Sequence, residues 1–293
     1  MAKTREIKKR IKAVGNIKRI TRTMQMIATA KFSAAQHRSV AGRPYTEALF
    51  DIVAELAGSG DALQHPLLAA RAPGPGAKPL TLVLTSDRGL CGPYNGSVLR
   101  ASMHYFRATP DAAKGDIEIV GKKGLGFFKF NAMPIARHHT QFGDKPQYDD
   151  VDRLASGYIR RFIAGELSSV HVVSMRYISA GKQTPEVSQL LPFKAPARRA
   201  AGSGGAYSAL YEFSPAGPEL LNELVPAAVK AQLFQAFKDA VVSEHVARMI
   251  AMKAATDNAG KMGKNLTRKY NRARQAQITT ELTEIISGAA ALE

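Results

Sequence analysis

The sequence contains one cysteine, Cys91, among its 293 residues. An intrachain disulfide and a dithiol switch within the chain are therefore excluded, and a reducing compartment is the simpler expectation. Apolar runs are short as well, because none approaches the roughly 18 apolar residues that a membrane-spanning helix requires. We therefore expect a protein that is soluble or peripheral to a membrane.

The first residues are basic and lead into an amphipathic pattern rather than into the apolar core of a signal peptide. A mitochondrial presequence is also Arg-rich and acid-poor. It is the disfavoured alternative, because the pattern continues too far and ends in no processing-like segment. We expect no presequence.

Proline is missing from residues 1–43 and from residues 227–293. Long helices tolerate few prolines in their interior, so both stretches predict long helices. About 70 helical residues at the C-terminal end would extend roughly 100 Å, several times the length of an ordinary globular helix. A helix of that length must bury its apolar stripe against something equally long.

Acidic residues are scarce at the N-terminal end. The first 46 residues hold twelve Lys and Arg and one acid, Glu6, which is 12 − 1 = +11 of the net +17 of the whole chain. Such an arm predicts an acidic partner: a nucleic acid, an anionic membrane or an acidic protein surface. Nucleic acid is the weaker option, since the basic arms lack interleaved aromatic residues and carry no reading motif.

A helical apolar stripe runs along the N-terminal arm. Its members recur every three or four residues, at Ile7, Ile11, Val14, Ile17, Ile20, Met24 and Ile27. Pro44 could kink or end this helix, and the pattern stops after Leu56. Two arrangements can bury the stripes: a homodimeric coiled coil, or antiparallel pairing of the two ends of one chain, which we favour.

The middle of the chain has a different pattern, in which short β-branched runs alternate with helices. Strands are predicted at 80–85, 116–120 and 170–175, and helices around 97–108, 122–131 and 148–164. This alternation favours a mostly parallel α/β sheet. A last strand is predicted at 211–213 and an irregular loop at 195–205. The predicted division is an N-terminal helix (1–58), a linker (59–79), a central domain (80–213) and a C-terminal helix (214–293).

Three short motifs have weak chemical interpretations. Residues 121–126 superficially resemble a nucleotide loop, but they match neither G-x-G-x-x-G nor the Walker pattern. His138 and His139 lack further ligands at metal-site spacing, so we expect a surface pair. Ser86 has no evident base beside it, which favours a structural turn over a nucleophile.

Four segments together resemble one family, the γ subunit of F-type ATP synthase. They are ITTELTEIISGAAA at 278–291, RITRTMQMIATAK at 19–31, ARMIAMKAATDNA at 247–259 and TSDRGLCGPYN at 85–95. They occur in the family's order and cover both helices and the central domain. The sequence departs from the family at Pro93, where a second glycine is usual, and at 195–205, which has no pattern to carry over. The cysteine pair of chloroplast relatives is not present.

The resemblance implies an α+β fold, in which a long antiparallel two-helix coiled coil from the N- and C-termini carries a central Rossmann-like α/β domain. It implies a central rotor shaft that turns inside the α3β3 hexamer and performs no catalysis of its own, without cofactor or metal. The implied partners are the α, β, ε and δ subunits and the c-ring, with no nucleic acid. The implied location is peripheral, on the cytoplasmic face of a bacterial inner membrane.

The resemblance also implies which residues touch the partners. Shaft contacts with the β subunit are expected at Met24, Arg248, Lys261, Lys264, Arg268, Gln275, Thr279 and Glu281. A loop joining shaft and central domain is expected at Ser86, Asp87, Arg88 and Gly89. For the basic members, a solvated helix face is the alternative. We favour attraction to acidic walls, because Coulomb energy varies gently as a shaft turns whereas packing energy varies sharply.

Overall fold

The computed structural model describes residues 2–58, 65–68, 74, 76–194 and 217–290. Two long helices, α1 and α6, flank a central set of strands and shorter helices. In chain order the elements are α1 (Ala2–Gly58), β1 (Lys78–Leu84), α2 (Tyr94–Ala108), α3 (Pro110–Lys114), β2 (Asp116–Val120), α4 (Lys122–Phe130), β3 (Arg137–His139), α5 (Tyr148–Ile163), β4 (Leu167–Ser179), β5 (Lys182–Leu191) and α6 (Gly217–Ala290).

The five strands form one sheet in the order β3-β2-β1-β4-β5. Four strands are parallel, and β5 pairs antiparallel with β4. The predicted strands correspond to β1, β2 and the middle of β4, and the predicted helices to α2, α4 and α5, so the mostly parallel sheet is confirmed. The predicted strand at 211–213 and the predicted loop at 195–205 lie outside the described residues.

Two strands were missed in the sequence because neither has an apolar pattern. β3 is three residues long and reads Arg-His-His, and β5 is mostly polar and contains Pro185. Both lie at the edges of the sheet. Edge strands tolerate proline because one side of the strand needs no ladder hydrogen bonds.

The sheet is covered on both faces, which explains why β1 is an uninterrupted buried run. One face packs on α5, the end of α1 and the start of α6, through residues such as Leu82, Leu154 and Val225. The other face packs on α2 and α4, through Val83 and Phe128 among others. A parallel sheet between helical layers follows from this arrangement.

Pro44 neither ends nor interrupts α1, which continues to Gly58. The ring removes one backbone donor from the helix, and Pro44 is exposed. Thr46 and Leu49, which lie on another face of α1, are buried. Packing of that face therefore outweighs the local preference to stop.

The chain divides into two compact units. The first contains residues 1–30 and 248–293, and the second contains residues 31–247. Within the first unit, Thr4 contacts Gln277 and Thr21 contacts Thr256. Residue numbers rise along one helix as they fall along the other, so the two ends of a single chain pair antiparallel, and a second copy is not needed to bury the seam.

Candidate partner-binding surface

The first unit is a two-helix coiled coil with a regular seam. Positions that are wholly or partly buried recur at alternating steps of three and four residues. This 3.5-residue period is the signature of left-handed coiled-coil packing. On α1 the seam includes Thr4, Ile7, Ile11, Val14, Thr21, Gln25 and Ala28, and on α6 it includes Met252, Thr256, Ala259, Gly263, Leu266, Tyr270, Ala273 and Gln277.

Both helices contribute small residues to the seam. Ala28 and Ala259 are buried, and a Cβ added at Gly263 would lie 4.0 Å from a methyl group of Val14. Thr21 and Thr256 place hydroxyl groups in the same interface. Small side chains allow the helices to approach closely, and close approach stiffens the pair.

The apolar stripe expected on α1 only partly enters this seam, which corrects the sequence prediction. Ile7, Ile11 and Val14 do face α6, but Ile17, Ile20 and Ile27 are 52%, 57% and 52% exposed. The seam instead continues through Thr21, Gln25 and Ala28, because a 3.5-residue period after Val14 selects positions 18, 21, 25 and 28. Position 18 holds Lys18, which is exposed. The remaining isoleucines form a second, outward-facing apolar stripe.

The end of α6 is exposed on every side. Residues 278–290 are all exposed, and they follow Gln277, the last residue of α6 in the seam. At 1.5 Å per residue this segment is about 20 Å long. It includes Ile278, Leu282, Ile285 and Ile286, whose exposed fractions lie between 46% and 69%. A cluster of large exposed apolar side chains marks a surface that a partner covers.

The predicted shaft contacts lie partly on the paired helices and partly near the exposed end of α6. Met24 and Arg248 are partly buried, and the other six residues are exposed. Lys261, Lys264 and Arg268 follow each other at steps of three and four, so they lie on one helical face. The side chain of Thr279 donates to the carbonyl of Gln275 at 3.0 Å. Glu281 accepts from Gln277 at 2.8 Å.

Comparison with known proteins decides the family. The family model described as ATP synthase matches residues 3–292. The ATP synthase gamma chain of Rhodopirellula baltica is 43% identical over 297 residues, which cover 100% of both chains. The chain belongs to the ATP synthase γ chain family. The gamma chain of Leptospira biflexa is 39% identical over 295 residues and likewise covers 100% of both chains.

The γ chain fold is also found among solved structures. A chain in the Euglena gracilis mitochondrial ATP synthase, in a structure described as OSCP/F1/c-ring in rotational state 3, superposes with a TM-score of 0.66. The match covers 99% of this chain and 95% of that chain, at 19% identity. At this identity the likeness concerns the fold. It confirms the combination of two long terminal helices with a central mixed sheet.

The second unit of this γ chain contains the predicted loop at Ser86–Gly89, directly after β1. The Ser86 backbone N–H donates to the Asn95 side chain at 3.0 Å, and the Ser86 hydroxyl donates to the Arg88 carbonyl at 2.7 Å. Asp87 accepts from the backbone N–H of Lys122 at 3.0 Å, at the start of α4. These bonds are those of a structural turn, and they occupy the Ser86 hydroxyl.

Asp144 connects this loop to α1, a link that sequence reasoning missed. Its carboxylate accepts from Arg88 at 2.9 Å and forms an ion pair with Lys31 of α1. Burial by itself would raise the pKa of Asp144, but the hydrogen bond and charge of Lys31, then the charges of Arg88 and His245, lower it. The three residues are distant in sequence, so no local pattern signals the contact.

The expected surface histidine pair is wrong for His139. His139 is buried, and its Nε2 lies 2.6 Å from Glu118, which also accepts from the Tyr158 hydroxyl at 2.6 Å. Burial, then the charge of Glu118, raises the pKa of Tyr158 well above its usual value. This network joins β2, β3 and α5. Among the described residues, no group of three His, Cys, Asp or Glu side chains is arranged to hold a metal ion.

Gly121 and Gly124, two of the three glycines in residues 121–126, have a packing role. Gly121 has a φ of 93°, and a Cβ there would lie 2.3 Å from the Thr85 carbonyl oxygen. The Gly124 N–H donates to the Thr85 hydroxyl at 2.9 Å. Glycine is therefore required because α4 starts directly against the end of β1, which is the close approach that glycine permits.

Over the described ranges, no helix is both long and apolar enough to cross a bilayer.

Proposed function

We propose that this chain is the rotating central shaft of an F-type ATP synthase and couples proton flow through the membrane sector to ATP synthesis or hydrolysis. Rotation of an asymmetric shaft forces the three β catalytic sites of an α3β3 hexamer through different conformations. The chain itself performs no bond chemistry and requires no cofactor.

The observation that carries the proposal is the exposed apolar end of α6. Ile278, Leu282 and Ile285 recur at steps of four and three, so they lie on one face of a helix segment that follows the end of the seam. Burying such side chains in a partner stabilises the complex by about 1.5–3 kcal/mol for each one fully covered. A sleeve of apolar side chains at the top of the hexamer would supply this cover.

The seam supports torque transfer. Two helices packed along a 3.5-residue seam resist torsion as a pair, because each seam residue of one helix is held between residues of the other. The Thr21 and Thr256 hydroxyls also fix the axial register of the pair. A shaft built in this way can transmit rotation over its length.

The predicted contact residues are proposed as the grip on the hexamer. Lys261, Lys264 and Arg268 present three exposed cations on one face to acidic β-subunit surfaces. Gln275, Thr279 and Glu281 offer hydrogen-bonding groups beside the apolar end, and Met24 and Arg248 lie at the base of the coiled coil. Ser86–Gly89, through Asp144, would hold the sheet region against α1.

The remaining partners and the location are proposed from the family. We place the sheet region, within the predicted division at residues 80–213, against the ε subunit and the c-ring, with δ elsewhere in the complex. The Euglena assembly contains F1 and a c-ring, which supports such contacts. The relatives in Rhodopirellula and Leptospira favour the cytoplasmic face of a bacterial inner membrane, with peripheral attachment through the complex.

Coexpression with the α and β subunits of the same enzyme tests the proposal. Native mass spectrometry should find one copy of this chain in an α3β3 assembly that hydrolyses ATP. Rotation can be followed with a bead on an introduced cysteine at the exposed Lys129 (Lys129→Cys), because the native Cys91 is buried. A free monomer or dimer that never joins the hexamer would reject the shaft function.

A further inference from the structure

The second unit contains a cavity of about 380 Å³ between α1, α6 and the loop that precedes α5. This volume is within the roughly 300–1,000 Å³ range of small-molecule sites. Of its lining residues, the proposed shaft function uses only Asp144. The lining residues that carry the argument are Arg38, Ala41, Lys145, Tyr148, Phe234 and Lys238.

Two aromatic rings form part of the wall. Tyr148 and Phe234 meet edge to face, with ring centroids 5.3 Å apart and an interplanar angle of 89°. This T-shaped geometry is the favoured arrangement of an aromatic pair, so it holds both rings in place. Ala41 and the other small or aliphatic lining residues leave apolar space beside the rings.

The Lys238 ammonium group is the principal polar feature. It lies 4.9 Å from the centroid of the Phe234 ring, and it is so close to α1 that a Cβ at Gly42 would come within 2.5 Å of it. Over the described parts of the chain, Lys238 forms no ion pair. Burial is the main cause that lowers its pKa; the charge of Asp239 opposes this, and the charge of Arg43 adds to it.

One carboxylate, Asp144, lines the cavity and another, Asp239, lies near it, and both are already engaged. Asp144 pairs with Lys31 and Arg88. Asp239, the neighbour of Lys238 in sequence, accepts from Ser39 and from Gln235. Arg38 and Lys145 add two more cations to the cavity lining, so positive charge prevails there.

We propose that this cavity is a binding site for a small amphipathic anion with one acidic head group and a flat apolar body. The head group would pair with Lys238, and the body would lie against Tyr148 and Phe234. A half-buried ammonium beside apolar walls favours this class, because an anion restores the lost electrostatic partner while the walls exclude water from its body. The ligand would touch α1, α6 and the loop before α5, and so would brace these three elements.

Titration calorimetry on the full chain tests the site with two matched probes. One is 8-anilinonaphthalene-1-sulfonate, which has an anionic head, and the other is N-phenyl-1-naphthylamine, its neutral analogue. We expect one saturable site for the anionic probe. Lys238→Met should weaken its binding about tenfold, as for loss of a charge-assisted contact worth about 1.4 kcal/mol. Binding of the neutral probe should be unchanged.

Two further variants separate charge from space. Lys253→Met removes an exposed lysine elsewhere on α6 and should leave both probes unaffected. Ala41→Trp fills the cavity without changing any charge and should abolish both. Equal binding of the anionic probe to wild type and Lys238→Met would overturn the proposal. If circular dichroism shows that Lys238→Met is unfolded, Ala41→Trp is the deciding variant. Retained probe binding in Ala41→Trp would also overturn the proposal.

Discussion

The hydroxyl oxygen atoms of Thr21 and Thr256 lie 2.8 Å apart across α1 and α6, although 235 positions separate them in the sequence. Thr256 is buried, and Thr21 is partly buried. Each hydroxyl also lies within hydrogen-bond distance of a carbonyl of its own helix, Lys18 for Thr21 at 3.1 Å and Met252 for Thr256 at 2.8 Å. A shift of one helix along the other would break the interhelical contact, so this contact favours one axial register over its neighbours. The contact therefore specifies how the two ends of the chain align.

Enlarging a small seam residue should destabilise the coiled coil. Ala28 is 1% exposed, so a larger side chain there would have to displace its neighbours. We expect Ala28→Leu to lower the free energy of unfolding by about 1–3 kcal/mol, the usual cost of overpacking. Urea denaturation followed by circular dichroism measures this. Ala30→Leu, two residues away at an exposed position, is the control and should change stability little.

Polar replacement of the apolar end should affect assembly without affecting folding. The side chains of Ile278, Leu282 and Ile285 are exposed, so replacing all three by Gln should leave the unfolding free energy of the isolated chain within about 0.5 kcal/mol. The same variant should copurify poorly with the α3β3 hexamer. Thr280→Ser with Glu284→Gln, on the opposite face of that helix, is the matched control. Normal recovery of the hexamer with the triple variant would contradict the proposed sleeve.

Charge reversal on the basic face should weaken coupling between rotation and ATP turnover. Lys261, Lys264 and Arg268 are exposed on one helical face, and replacing them by Glu would repel an acidic β-subunit surface. ATP-driven proton pumping in membrane vesicles should fall, and the difference from wild type should shrink as salt increases, since the Debye length is about 10 Å at 0.1 M. Arg100→Glu, Arg107→Glu and Lys114→Glu, at exposed positions of α2 and α3, change the net charge by the same amount and are the control. Unchanged pumping at low salt would argue for a merely solvated face.

Removing the Asp144 carboxylate should loosen the link between the loop at Ser86–Gly89 and α1. Because both ion pairs are partly exposed, we expect Asp144→Asn to cost about 1 kcal/mol of stability at neutral pH. Asn keeps the size and removes the charge, so the comparison isolates the ion pairs.

The difference in stability between wild type and Asp144→Asn should depend on pH. The folded-state pKa of Asp144 is lowered, so its contribution is fully present above the unfolded-state value of about 3.9 and is lost as the pH falls through the folded value. The difference in unfolding free energy between wild type and Asp144→Asn should therefore be constant from pH 5 to 7, given the roughly 3.9 reference, and should vanish in stronger acid. A difference that grew on acidification would mean that Asp144 contributes through another contact.

Much of the fold could be predicted from the chain alone because its signals are local. Absence of proline predicted the two long helices, and alternating β-branched runs predicted β1, β2 and β4. β3 and β5 were not predictable in this way, since their residues are polar and they become strands only by pairing with the exposed edges of β2 and β4. Their hydrogen bonds come from neighbours distant in sequence.

The sequence by itself determined the family and the presence of two long helices that carry apolar stripes and basic residues. Motif order and periodicity are properties of the linear chain, so they can be recognised without the tertiary structure. Tertiary structure decided which stripe enters the seam. Ile17, Ile20 and Ile27 match helical periodicity as well as Val14 does, but the 3.5-residue repeat of a paired helix buries Thr21 and Ala28 instead. It also decided that Asp144 joins Arg88 to Lys31, and that Lys238 lies beside the Phe234 ring at the wall of a cavity. Each of these relationships depends on distances between elements, which no single segment of the sequence contains.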